Sequence, residues 1–299
     1  MTTRSTAIGR ERTHKSGISA WVERHQLLAA YTITFLLAWG PMLAMLAGLG
    51  SNLSYPVMIV FAFLVGWAPA IGAVVVSAIT GGRAEVGRLL GRFFIWRVGF
   101  HWYLAAFFLM ALVILGGIGL HVLFGGEMPF LPFTTATSLG VLVSTFIGMM
   151  VIGPLANTEE VLWRGFAFPR LQSRYGWLLG SLFLTVPEIL LHLPHFFDPD
   201  SIFYRTVGIF WFSAFSFAAV ILYTWVFNHT KGSLIIVTLL HASQNAWSNL
   251  LSDNSLRPFQ FTVALMWVIA LVLIVTTAAS SQGPKRDAVE SAQVERAGE

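Results

Sequence analysis

The sequence predicts an all-α, polytopic membrane bundle of about eight transmembrane helices with one interfacial amphipathic helix. Three observations carry that expectation. Charge is scarce: 56% of the 299 residues are hydrophobic and 11% are charged, against about 25% charged in a soluble domain. Apolar runs approach the roughly 20 residues needed to cross a bilayer. The remaining cations are sorted into alternate connections rather than scattered along the chain.

The runs fall at about 27–50, 54–80, 101–124, 134–156, 176–197, 203–227, 232–251 and 259–280. Pro41, Pro69, Pro154 and Pro187 lie inside them, which neighbouring membrane helices accommodate. Polar residues interrupt the runs at 176–197 and 232–251. The first run starts near Leu27 and is too long for the apolar core of a signal peptide, so none is expected to be cleaved. The resulting organisation is a basic tail (1–26), a membrane domain (27–280) and a polar tail (281–299), with residues 1–20 and 283–299 expected to be disordered.

Arg4, Arg10, Arg12, Lys15 and Arg24 precede the first span, and Arg83, Arg88, Arg92 and Arg97 follow the second. Arg164, Arg170 and Arg174 follow the fourth, Lys231 follows the sixth, and Lys285, Arg286 and Arg296 lie in the last tail. Eight spans thus collect 16 of the 18 cations on one side, leaving Arg205 and Arg257 on the other. The positive-inside rule makes that side cytoplasmic and puts both termini there. Between the second and third spans, Val86, Leu89, Leu90, Phe93 and Phe94 share a helical face while Arg88 and Arg92 lie on another. That is the pattern of an interfacial helix, and a positive-inside loop that happens to be helical would share it.

Composition also excludes. With no Cys there is no disulfide, thiolate metal site or cysteine nucleophile. The pI of 9.7 reflects topology signals rather than a basic face with interleaved aromatics, so nucleic acid is not an expected partner. Membrane lipid and a membrane-associated peptide or protein substrate are.

Chemistry concentrates between the fourth and seventh runs, in a core of about 150–250. Glu159 and Glu160 stand side by side at the edge of hydrocarbon, where unpaired carboxylates are costly and call for partners. Glu160 and Arg164 are i,i+4 and can pair. Glu159 lies about 100° round the axis, free to act as a base. His192 precedes Pro194 in the fifth run, with Glu188 one turn earlier, close enough to share a proton. His241 and Asn245 are one turn apart on one helix face. Their N–H groups are suited to a developing oxyanion. Each feature alone also has a plain structural reading: a helix cap with an ion pair, a backbone-bonded histidine, interhelical hydrogen-bonding. His195 reads as interfacial, and His101, His121 and His229 receive no role. Ser213, Ser243 and Ser248 lack a Gly-x-Ser-x-Gly setting.

Together, Glu159-Glu160-Val-Leu-Trp-Arg164 followed by Gly165-Phe166, Leu191-His192-Leu-Pro194, and His241-Ala-Ser-Gln-Asn245 after Lys231-Gly-Ser-Leu234 resemble a family. It is the CPBP (CAAX protease and bacteriocin-processing) intramembrane proteases, which include the type II CAAX prenyl endopeptidases. The resemblance covers roughly 150–250. One position departs from it: the family's phenylalanine four residues before the histidine is Glu188 here.

The resemblance implies an intramembrane endopeptidase acting on a membrane-associated, CAAX-type prenylated or unprenylated substrate. Glutamate and histidine would activate water, and histidine with asparagine would form the oxyanion hole. The implied catalytic set is Glu159, Glu160, His192, His241 and Asn245, supported by Arg164 and Glu188. No cofactor is expected. Zinc is the alternative, since members are also described as metalloproteases and one Glu with two His suffices for it. No compact His-Glu-x-x-His helix is present. A span ending at 156 would place the site on the cytoplasmic side. Two further classes compete with the enzyme: a proton-coupled transporter, with Glu and His as its relay, and a non-catalytic scaffold of the protease fold, which Glu188 would favour.

Overall fold

The computed structural model describes residues 17–49, 53–135, 138–252 and 254–297; most of the first basic tail lies outside them. Among the described residues the chain is helical, with no strand. The helices are α1 (Ile18–Arg24), α2 (Gln26–Leu46), α3 (Tyr55–Gly91), α4 (Phe100–Leu123), α5 (Leu139–Ala156), α6 (Phe168–Leu191), α7 (Gly208–His229), α8 (Leu234–Leu251) and α9 (Leu256–Ala297). α2 packs on α3, α4 lies against α8 and α9, α5 against α8, and α7 against α6 and α9.

Among the described residues, six stretches are long and apolar enough to cross a membrane: Gln26–Leu46, Tyr55–Phe94, Phe100–Leu123, Leu139–Ala156, Phe203–His229 and Leu256–Ala279. The two expected spans that fall short correspond to α6 and α8, whose polar residues lower their hydropathy. Ile147, Val151, Leu155, Val268, Leu271 and Val275 are exposed. Such apolar outer faces suit hydrocarbon and not water. The chain is an integral membrane protein.

Three expectations change. The polar tail from 283 on, expected to be disordered, continues as helix to Ala297; its Ala, Glu, Gln and Arg are good helix formers. The run read as a span to residue 197 ends as an α-helix at Leu191, and Leu193–Phe197 forms a 3₁₀ turn. Pro194 disfavours helical continuation at the residue before it.

The third concerns the segment after α5. It was read as a cytoplasmic connection, yet it stays within the bundle. After a two-residue break at Asn157 and Thr158, helix resumes as a π-turn over Val161–Ala167 and then α6. The turn comes only at Gly176, whose φ of 79° breaks α6. Arg164, counted as a loop cation, is 0% exposed.

The break is stitched to α3. Thr158 donates from both N–H (3.0 Å) and Oγ1 (2.9 Å) to the Gly66 carbonyl, and Oγ1 accepts from Ala70 N–H at 3.2 Å. A Cβ on Gly66 would lie 1.8 Å from the Ala156 carbonyl oxygen, so only glycine permits this approach. Gly66 lies sixteen residues before the Gly82 break, about 24 Å along the helix. The acidic pair therefore sits deep in the bundle.

The helix ends sort into two groups. At one end Arg170 donates to Gln26 Oε1 (2.8 Å) and Glu85 Oε1 (3.1 Å), Asn228 to Gln172 (2.9 Å), and Ser233 to the Ile95 carbonyl (2.7 Å). The expected amphipathic helix is here. Gly82, with φ 60°, separates it from the rest of α3. It buries Leu89, while Phe94 is exposed. Arg92 lies over the Phe227 ring, so the segment packs on the bundle as well as facing outward. At the opposite end Arg257 donates to the Phe124 carbonyl at 3.0 Å, and Phe124 stacks on Phe261.

Candidate active site

Each motif is delivered by a different device. The Thr158 stitch and the π-turn bring in Glu159 and Glu160. His192 caps the C-terminus of α6, where Trp39 Nε1 donates to the preceding Leu191 carbonyl at 3.1 Å. His241 and Asn245 come from α8, started by Ser233, whose Oγ accepts from Ile236 N–H at 3.4 Å. The result is one cavity of about 160 Å³ lined by, among others, Glu159, Glu188, His192, His241 and Asn245. Residues from three helical segments far apart in sequence thus face one space.

Glu160 does not line that cavity. It is buried, and its Oε1 is 3.1 Å from Arg164 Nη1 and 2.9 Å from His241 Nδ1. The pairing expected from i,i+4 spacing is present, with a histidine added to it. Glu188 Oε2 lies 3.2 Å from the same Arg164 Nη1, and the Tyr223 ring covers the guanidinium at 4.9 Å. Two carboxylates thus converge on one cation.

The acidic side chain of Glu188 was expected to sit beside the His192 ring as a proton partner. It turns to Arg164 instead, and the His192 contact is made by its backbone: His192 Nδ1–H donates to the Glu188 carbonyl at 3.0 Å. In a neutral imidazole this leaves the lone pair on Nε2.

Glu159 is held by two donors. Asn157 Nδ2 donates to Oε1 at 2.9 Å and Trp163 Nε1 to Oε2 at 3.0 Å. An ionised carboxylate has about four acceptor positions, so lone pairs remain. His192 Nε2 is 4.0 Å from Glu159 Oε1, beyond direct hydrogen-bonding. Base and imidazole face each other across a short gap.

His241 changes in one respect. A neutral imidazole that gives its Nδ1 proton to Glu160 has no second N–H. It donates into the cavity only as an imidazolium, so Asn245 is the neutral donor of the pair.

Sequence reasoning missed Asn157, Trp163, Thr158 and Tyr223. Trp163 stands i,i+4 from Glu159, the same spacing that revealed Arg164. Asn157, two residues before Glu159, both donates to its carboxylate and accepts from its N–H. Tyr223 carries no local signal; α7 brings it in. His195 also approaches, with its ring 6.2 Å from His192. Among the described residues, no group of three His, Cys, Asp or Glu side chains is arranged to hold a metal ion.

Two comparisons bear on this arrangement. Residues 139–247 match the family described as type II CAAX prenyl endopeptidase, Rce1-like. The chain is also 29% identical over 174 residues to CAAX prenyl protease 2 of Methanococcus maripaludis. That similarity covers 56% of this chain and 63% of the relative's length. The family match begins with α5 and ends in α8, so it encloses every motif that lines the cavity. Residues 139–247 are thus the part of this chain that is similar to the type II CAAX prenyl endopeptidase, Rce1-like family.

Proposed function

We propose that the chain is an intramembrane endopeptidase that hydrolyses a peptide bond of a membrane-associated substrate by activating water. The observation that carries this reading is the Glu159–His192 gap. Two hydrogen-bond acceptors 4.0 Å apart suit a water that gives one proton to each. Both of its lone pairs then point away from these two acceptors, and one of them can attack a carbonyl carbon.

The steps balance within the residues present. The water oxygen attacks the carbonyl carbon, its proton passes to Glu159, and the C=O electrons move to the oxygen. Asn245 Nδ2 is the donor for that oxyanion, joined by His241 when it is an imidazolium countered by Glu160. Collapse breaks the C–N bond, and the proton held on Glu159 goes to the leaving amine. Positioned acid–base groups typically contribute about 10²–10⁴-fold, and an oxyanion donor about 10²–10³-fold.

Glu160, Arg164 and Glu188 act behind this line. Arg164 holds both carboxylates and Glu160 fixes His241, so that Glu159 is the carboxylate that faces His192. No step is assigned to zinc: among the described residues no three His, Cys, Asp or Glu side chains are grouped to hold one. The description of the matched family makes a CAAX-type prenylated peptide one candidate substrate to try beside an unprenylated one.

Purified protein with a membrane-anchored fluorogenic peptide tests it, wild type against Glu159→Ala. Cleavage by wild type and its loss in the variant is expected. Equal cleavage by both would remove Glu159 from the mechanism. Proton flux without cleavage would point to a transporter, and neither activity to a scaffold.

A further inference from the structure

We propose that substrate enters from the face of the bundle opposite the cationic end. It does so along a polar cleft on α8 that binds an extended peptide, so that the scissile bond lies on the extracytoplasmic side of the membrane. This rests on the peptidase reading and adds to it a binding surface and a side.

Two clefts adjoin the catalytic cavity. One, of about 470 Å³, shares Gln244, Asn245 and Phe212 with it and continues past Ser248 and Asn249 to Ser252 and Asn254, where α8 gives way to α9. The other, of about 650 Å³, shares Glu159 and His192 and runs out past Met42, Met45 and Met58. Those residues belong to the C-terminal end of α2 and the N-terminal end of α3. Both clefts therefore lead to the group of helix ends remote from Arg170 and Glu85. In the other direction the site is backed by solid core: Leu162, Trp163, Arg164, Phe166, Phe168 and Leu234 are fully buried.

The charges orient these ends. With Arg164 buried in the interior, the packed end still carries Arg24, Arg83, Arg88, Arg97, Arg174 and Lys231, and the open end has Arg205 and Arg257. A Lys/Arg bias of this kind marks the cytoplasmic face. The earlier expectation of a cytoplasmic site rested on a span ending at residue 156. That span instead continues through the acidic pair to Arg174, and the opening falls on the other side.

The chemistry of the first cleft names its occupant. Gln244, Ser248 and Ser252 recur every fourth residue along α8, with Asn245 and Asn249 beside them. Gln244 already accepts from Tyr223 (2.7 Å) and Asn249 donates to the Asn245 carbonyl (2.8 Å), so the remaining donors and acceptors of these side chains are the ones left for water or a ligand. They offer both donors and acceptors, as an extended peptide backbone does, and no charge to select for a charged side chain. The facing wall of Met110, Ile114, Ile118 and Phe259 accepts apolar side chains. The fitting occupant is the juxtamembrane stretch of a membrane-anchored protein on its extracytoplasmic side. A chain arriving from the cytoplasm meets the packed end.

The absence of Cys makes the test direct. Ser248→Cys, in the cleft, and Ser173→Cys, exposed at the cationic end, each give a chain with a single thiol. Each is exposed to a membrane-impermeant maleimide in right-side-out and inside-out vesicles. Labelling of Ser248→Cys in right-side-out vesicles, and of Ser173→Cys in inside-out vesicles alone, is expected. The reverse pattern overturns the proposal. So does a Ser248→Cys chain that labels in neither while Ser173→Cys labels normally. Ser252→Cys, nearer the mouth, repeats the measurement should the first variant fold poorly.

A paired cleavage assay uses one membrane-anchored reporter in two orientations. Cleavage of the form with its cut site outside is expected, and cleavage of the inside form alone overturns the assigned side. If neither is cut while labelling follows the expected pattern, the peptidase reading fails and the access assignment stands.

Discussion

Glu160 Oε1 and His241 Nδ1 lie 2.9 Å apart across 81 positions of sequence, and the same oxygen holds Arg164 at 3.1 Å. That shared oxygen gives the two adjacent carboxylates different work. Glu160 faces inward, tying the π-turn to α8. Glu159 faces the cavity, with donors on both of its oxygens.

Glu159→Gln is expected to lower turnover by about 10²–10⁴-fold, the loss typical of a general base, with only a modest loss of thermal stability, because the amide carbonyl still accepts from Trp163 while its NH2 meets the Asn157 amide. Single-turnover cleavage and a melting curve on the same preparation check both halves. A well-folded, inactive Glu160→Gln beside an active Glu159→Gln would exchange the two roles.

Arg164→Leu is expected to destabilise strongly, since removing one member of a buried ion pair typically costs about 3–5 kcal/mol. Glu160 and Glu188 would both be stranded. Glu188→Phe, which places there the phenylalanine that the sequence resemblance implies, removes only the second carboxylate and is expected to cost less. The order of melting temperatures, with Arg164→Leu lowest, is the measurement; equal values would mean that the network carries little stability.

Asn245→Ala is expected to reduce kcat by about 10²–10³-fold with KM little changed, as for loss of one oxyanion donor. A raised KM with kcat preserved would make Asn245 a ground-state contact.

Gly66→Ala tests the stitch without touching the cavity. Its Cβ would meet the Ala156 carbonyl at 1.8 Å, so α3 and α5 must separate. Overpacking of this kind typically costs about 1–3 kcal/mol, and activity should fall with stability. Full activity would show that the acidic pair is positioned by something other than this crossing.

Cleavage is expected to persist in a strong chelator, and elemental analysis of the purified protein to find less than one zinc per chain. One zinc per chain, lost together with activity in His192→Ala, would replace the glutamate mechanism by a metal one.

Local spacing made much of the site legible. Glu160 with Arg164, and His241 with Asn245, follow from one helical turn each, and the apolar runs announced most of the helices. What escaped was depth. Hydropathy places a boundary after Ala156 because Asn157, Glu159, Glu160 and Arg164 look like loop residues. Nothing local says that Thr158 bonds Gly66, 92 positions away, or that Arg164 has a second carboxylate on α6. Those long-range partners are what let a polar segment remain inside. The same blindness made the start of a continuing helix look like a connecting loop after span four.

The π-turn at Val161–Ala167 has a consequence for how this chain tolerates change in length. A wide turn holds one residue more than the α-helix it interrupts, much as a coil of rope takes up slack. Deleting a residue inside the turn merely closes it, whereas deleting one from the α-helix just after it leaves the turn wide and rotates everything beyond by about 100°. The acidic pair and the Arg170–Glu85 anchor would then point in incompatible directions, although every side chain of the cavity remained in the sequence. Substitutions test residues one at a time; in this stretch it is the number of residues that sets the aim.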